Sequence, residues 1–66
     1  MALGLRAWRR AKDISQTDMA EKLGIHVNTY QNWEKKPESI SISNALRIAQ
    51  ILEISINDIS FAEHED

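Results

Sequence analysis

The stretch SQTDMAEKLGIHVNTYQNWE, Ser15 to Glu34, decides the fold. Its apolar residues fall at Met19, Ala20, Leu23, Ile25, Tyr30 and Trp33, the spacing of two short helices that each bury one stripe. Ser15 is a good N-cap for a helix from Gln16 to about Leu23, and Asp18 adds a carboxylate in the first turn, where the helix dipole is positive. Gly24 stands where that helix must stop, because glycine tolerates the left-handed conformation of a C-cap. The next helix runs from about Val27 to Lys35 and gives way to the loop Lys36-Pro37-Glu38-Ser39, since proline cannot continue a helix. Its outward positions, with His26 before them, are Val27, Asn28, Thr29, Gln31 and Asn32. A helix with an apolar underside and an amide-rich outer face suits the reading of base edges in a DNA major groove.

Working outward, Leu5, Trp8 and Ala11 lie at helical spacing and predict a helix from about Leu3 to Lys12, with Asp13-Ile14 as a turn. Ser41 or Ser43 can cap a fourth helix, whose face is Ala45, Leu46, Ile48, Ala49 and Leu52. Glu53-Ile54-Ser55 breaks it, and Ile56 to about Phe61 is expected to form a short fifth helix. Ile40 to Ile42 and Ile54 to Ile56 alternate like strands, but both are too short to outweigh the helical pattern around them. The expectation is an all-α domain over residues 1–61, a five-helix compact bundle, followed by an acidic tail over residues 62–66 that reads as a frayed end or a linker.

A chain of 66 residues is one small domain, burying only about 60% of its unfolded surface. It has no cysteine for a disulfide and no Cys/His cluster for zinc. No apolar run approaches the length of a membrane span, and no signal-peptide core is visible. A cytoplasmic domain without cofactor, metal, membrane or small-molecule substrate is expected. The net charge of −2 is unevenly spread. Residues 1–36 hold seven Lys and Arg against four Asp and Glu, a net +3, and residues 37–66 hold one against six, a net −5. A basic front half with an acidic rear suits contact with a polyanion through one face. No GxSxG elbow, glycine-rich phosphate loop or carboxylate–histidine cluster is present, so an enzyme is not expected.

The run LRAWRRAKDISQTDMAEKLGIHVNTYQNWE, with ALRIAQILEISINDI after the loop, resembles the Cro/C1-type (Xre-family) helix-turn-helix domain. The likeness covers about residues 5–60 and rests on Leu5-Arg6, Arg9, Ser15-Gln16, Leu23-Gly24-Ile25, Trp33-Glu34, Ile48-Ala49 and Ile54 at fixed spacing. It implies a lambda-repressor-like bundle in which the second and third helices form the helix-turn-helix, and a transcriptional regulator, most often a repressor, of double-stranded DNA. It implies that Gln16 meets a phosphate or base edge and that Val27, Asn28 and Asn32 read bases. Thr29 is then placed for a phosphate, Gln31 for a phosphate or a base edge, and Lys35 and Lys36 for phosphates, with Arg6, Arg10 and Lys12 as further cations.

The resemblance also implies an Arg9–Glu34 ion pair tying the first helix to the third, and a homodimer on inverted half-sites, with Ile56, Ile59 and Phe61 as candidate dimer contacts. The acidic rear leaves a second reading open, a protein-binding module of the same fold, antitoxin-like or anti-regulator.

Three features depart from the family. His26 replaces the usual Ser or Thr N-cap and is expected to cap less well; as a metal ligand it has only distant His64 as partner. Lys36-Pro37 replaces a glycine exit from the third helix, and Lys36, preceding proline, is expected to be extended. Tyr30 stands where an aliphatic is usual, so its hydroxyl is expected to find a partner or the surface. Trp8, Tyr30 and Trp33 share the periodicity of Leu5, Met19 and Leu23 and read as core rather than as a base-stacking platform.

Overall fold

The computed structural model describes residues 2–62, so His64 and most of the acidic tail lie outside the described residues. Four α-helices pack around one core: α1 (Leu5–Ala11), α2 (Gln16–Leu23), α3 (Val27–Lys35) and α4 (Ile42–Leu52). Short 3-10 turns follow α3 at Pro37–Ser39 and α4 at Ile56–Asp58. The centre is built from Leu5, Met19, Leu23, Tyr30, Ile48 and Leu52, all at most 2% exposed.

α2, α3 and α4 each start where a side chain can replace the missing backbone acceptor. Ser15 Oγ accepts from the Asp18 amide at 3.0 Å, and Ser41 Oγ from the Asn44 amide at 3.3 Å. His26 is also a working cap: its Nδ1 accepts from the Asn28 amide at 3.2 Å. A ring nitrogen thus takes the place that a hydroxyl oxygen takes at the other two caps.

Three connections share one geometry that periodicity did not reveal. After α1, α2 and α4 the chain turns through a left-handed residue, respectively Asp13 (φ 59°), Gly24 (φ 70°) and Glu53 (φ 58°). In each, two amides fold back on the last turn: Asp13 and Ile14 onto Arg10 and Arg9, Gly24 and Ile25 onto Glu21 and Ala20, Glu53 and Ile54 onto Gln50 and Ala49. This is the Schellman pattern, in which the residue after the left-handed one packs back on the helix. That residue is isoleucine all three times, and Ile14, Ile25 and Ile54 all rest against the core. Only Gly24 adopts the conformation without steric cost. Glu53→Gly is therefore expected to raise stability by about 0.5–1 kcal/mol, read as a rise in Tm of a few degrees. An unchanged or lower Tm would show that Glu53 is not strained.

The expected fifth helix is absent, which corrects the five-helix bundle to four. Ile56–Asp58 makes a single 3-10 turn, and the chain then runs extended. The cause is the N-terminal segment. The Leu3 amide donates to the Asp58 carbonyl at 3.1 Å and the Ser60 amide to the Leu3 carbonyl at 2.8 Å, so Leu3 and Ile59 form an isolated parallel bridge. The Trp8 indole N–H donates to the same Asp58 carbonyl at 2.7 Å. These bonds claim groups that an α-helix over residues 56–61 needs for itself. For the same reason α1 begins at Leu5 rather than Leu3, with Gly4 as N-cap.

The aromatic residues divide. Tyr30 is fully buried, while Trp8 and Trp33 are half-buried against the core. The Tyr30 hydroxyl reaches neither the surface nor a hydrogen-bond partner, contrary to the expectation for a buried phenol. Ile59 is 5% exposed within the core, and Ile56 and Phe61 pack against it. The apolar triplet proposed for dimer contact thus closes the monomer. The large apolar residues most exposed are Ile42 and Leu46, one turn apart on α4.

Candidate nucleic-acid interface

α2 and α3 meet at Gly24, and α3 presents its outer side to solvent. Asn28, Thr29, Gln31, Asn32 and Lys35 line one shallow concavity on that side. The side-chain amides of Asn28 and Asn32 hydrogen-bond to no described residue, and both side chains are exposed. They present free donors and acceptors, the chemistry that base edges need. Val27 does not join them: it is half-buried against the core. Lys36 has left the helix, at φ −131° and ψ 72°, and its side chain is exposed outside this concavity.

A second, wider concavity lies between α1 and α3, lined among others by Arg6, Arg10, Gln16, Gln31, Glu34 and Lys35. Three exposed cations, Arg6, Arg10 and Lys35, surround it. The sequence offered Arg6 and Arg10 as further candidate phosphate contacts; their association with Lys35 around one concavity is a product of how α1 lies on α3.

Beneath those cations sits a closed polar network. Arg9 Nε donates to Glu34 Oε2 at 2.7 Å, and its terminal nitrogen to Glu34 Oε1 at 3.4 Å, a two-pronged pair with side chains only 10% and 6% exposed. A third Arg9 nitrogen donates to the Ile14 carbonyl at 2.9 Å, so one guanidinium joins α1, the α1–α2 turn and α3. Gln16 Nε2 donates to Glu34 Oε1 at 3.0 Å, and Gln31 Nε2 donates to Gln16 Oε1 at 3.1 Å. Gln16 is thus half-buried, with its amide engaged by Glu34 and Gln31, and it lines the concavity between α1 and α3.

Charge states follow from this packing. Burial alone would raise the Glu34 pKa, but hydrogen bonds, that from Arg9 foremost and with Gln16 among them, outweigh it and hold the carboxyl below its ordinary value. The Glu34 hydrogen bond likewise raises the Arg9 pKa against the effect of burial. Burial pushes the Tyr30 phenol well above its ordinary range, and nearby Glu34 adds to the shift. The phenol stands close enough to the carboxylate to feel its charge without completing a hydrogen bond to it.

Among the described residues no group of three or more His, Cys, Asp or Glu is arranged to hold a metal ion, and no helix is long and apolar enough to cross a membrane. Arg47, which sequence reasoning did not single out, donates to the Leu23 carbonyl at 3.0 Å and ties α4 to the C-terminal end of α2, where a cation meets the negative end of the helix dipole.

Two helices joined by a tight left-handed turn, the second carrying an amide-rich outer face, define a helix-turn-helix DNA-binding domain. The helix-turn-helix family matches residues 5–59, and the chain belongs to it. Among curated proteins it is similar to the antitoxin HipB of Escherichia coli O6:H1, 30% identical over 56 residues that cover 85% of this chain and 60% of that one. It is also similar to the cryptic phage CTXphi transcriptional repressor RstR of Vibrio cholerae serotype O1, 33% identical over 51 residues, 77% of this chain and 46% of that one. The chain thus spans only about half the length of these relatives. No solved structure gives a significant match.

Proposed function

We propose that the chain is the operator-binding part of a transcriptional repressor of phage or antitoxin type. In this reading α3 lies in the major groove, Asn28 and Asn32 read base edges, and Val27 touches a thymine methyl from its half-buried position. Thr29, Lys35 and Lys36 meet phosphates, with Arg6 and Arg10 extending the backbone contact along α1. Two copies bind inverted half-sites about one helical turn apart. The observation that carries the reading is the outer face of α3, where Asn28 and Asn32 stand exposed with unengaged amides in one concavity beside Lys35.

The test is selection of bound sequences from a random duplex pool, followed by titration at several salt concentrations. Enrichment of a two-fold symmetric site is expected, with log K falling by about 0.9 per decade of salt for each phosphate neutralised. Asn28→Ala and Asn32→Ala are each expected to weaken binding to the selected site by about 1–3 kcal/mol while leaving random DNA nearly unaffected. Equal loss on random DNA would remove them from base reading. No enrichment and no salt-dependent shift would leave a protein-binding module of the same fold in place of a DNA reader.

A further inference from the structure

We propose that the exposed apolar strip of α4, Ile42 and Leu46, is the surface through which two copies of this chain meet, and that they meet there only when both are seated on DNA. The proposal rests on the DNA-binding reading above and adds to it where the paired copies touch and when. Ile56, Ile59 and Phe61 are not free for this role, because they already close the monomer. α4 carries apolar surface beyond the core. Its core side is Ala45, Ile48, Ala49 and Leu52, each at most 5% exposed. Ile42 and Leu46 continue that apolar arc around the helix, one turn apart, yet they stand 78% and 51% exposed. The apolar arc of α4 is therefore wider than the core that covers it.

Position and size select the occupant. α3 ends at Lys35 and α4 begins at Ile42. The link between them is folded compactly, with the Ser39 and Ile40 amides donating back to the Lys36 and Pro37 carbonyls at 3.0 and 3.2 Å. The strip therefore starts beside the exit of the helix that reads the groove. The molecule measures 26 × 23 × 22 Å, so two copies centred on half-sites about 34 Å apart leave a gap of roughly 10 Å. Side chains reaching from both copies close such a gap, as they do between helices packed about 8–10 Å apart. A two-fold axis brings the same strip to the other side, so Ile42 and Leu46 meet their own counterparts.

The contact is too small to hold two copies together without DNA. A stable interface takes about 800 Å² from each partner. The whole molecule exposes 4500 Å², so such an interface needs nearly a fifth of it, and two side chains one turn apart supply only a small part. The nearby charges add no attraction. Residues 37–66 hold six acidic residues against one cation, Arg47, and Arg47 is bonded to the Leu23 carbonyl. On adjacent half-sites the two copies meet as if tethered, and tethering raises the effective concentration to about millimolar. A weak contact then suffices.

The test compares wild type with the double variant Ile42→Gln/Leu46→Gln, which changes two exposed positions and leaves the core intact. Each is titrated onto duplexes carrying one half-site or two inverted half-sites of the selected sequence. Wild type is expected to sediment as a monomer without DNA and to place its second copy about tenfold more tightly than its first on paired half-sites. Raising the salt concentration weakens binding to the single half-site but leaves that ratio in place, because the contact is apolar. Inserting half a helical turn between the half-sites abolishes it. The double variant melts at the wild-type temperature, binds the single half-site as tightly as wild type, and loses the ratio. A ratio that survives in the variant overturns the assignment of the contact to α4. A variant that binds the single half-site more weakly makes the strip part of the fold or of the DNA contact, and overturns it too. A wild type that is dimeric in free solution overturns the dependence on DNA. A wild type that fills the two half-sites independently overturns the pairing and leaves the strip to a different protein. No binding to any duplex overturns the DNA-binding reading itself, a result distinct from the others.

Discussion

Replacing Glu34 by alanine is expected to cost about 3–5 kcal/mol of stability, because it leaves the Arg9 guanidinium largely buried and unpaired. For a domain of this size that is comparable with the whole free energy of folding, roughly 3–10 kcal/mol. The variant should be substantially unfolded by circular dichroism at neutral pH. Glu34→Gln is milder. Its single amide oxygen can accept from Arg9 or from Gln16 but cannot replace a carboxylate that serves both, and DNA affinity should fall less than stability because every exposed cation remains. Arg9→Ala should lower both. A double-mutant cycle over Arg9 and Glu34 isolates the pairing, and a coupling energy indistinguishable from zero would make the two charges independent.

The same pair sets an acid limb. The Glu34 pKa is lowered in the folded protein, so the native state favours the ionised form. Its stabilisation is complete above the ordinary carboxyl value of 4.5 and is lost as pH falls through the lower folded value. Glu34→Gln should flatten stability against pH in that acid range. A variant with an unchanged acid profile would assign acid unfolding to other carboxyls.

Truncating Tyr30 to alanine is expected to cost about 3–5 kcal/mol, the range for emptying a buried aromatic site. Trp33→Ala should cost clearly less, because Trp33 is only half-buried whereas Tyr30 is 0% exposed. Tyr30→Phe separates the ring from the hydroxyl. The hydroxyl has no partner, and an unsatisfied buried polar group is a cost to the fold, so the phenylalanine variant should melt at or above the wild-type temperature. It should also lose an alkaline limb. The Tyr30 pKa is raised above its ordinary 10.0, so the protonated phenol contributes stability that is full below that pH and declines as pH climbs towards the folded value. A Tyr30→Phe protein less stable by more than about 1 kcal/mol would show that the hydroxyl is bonded in solution, with Glu34 the nearest acceptor to suspect.

The sequence by itself determined the helix-turn-helix and its limits. Gln16–Leu23 and Val27–Lys35 were legible, because caps and amphipathic spacing act over one turn and Ser15, Gly24 and Pro37 mark the ends locally. The outer face of α3 was legible for the same reason, through its period, although Val27 is half-buried against the core and not fully exposed. Only the tertiary structure decided the rest. Ile56 to Phe61 has helical spacing, yet it unwinds because Leu3 and Trp8, some fifty residues away in the chain, take its backbone groups. Asp13 and Glu53 carry no sign of a left-handed conformation; they adopt it because Ile14 and Ile54 must return to the core. Gln16 and Gln31 each look like free surface amides until α2 and α3 bring them together beside Glu34. Local signals reach about four residues along a helix. Contacts between distant segments are chosen by which groups remain unsatisfied once the helices have packed, and that selection is made only in three dimensions.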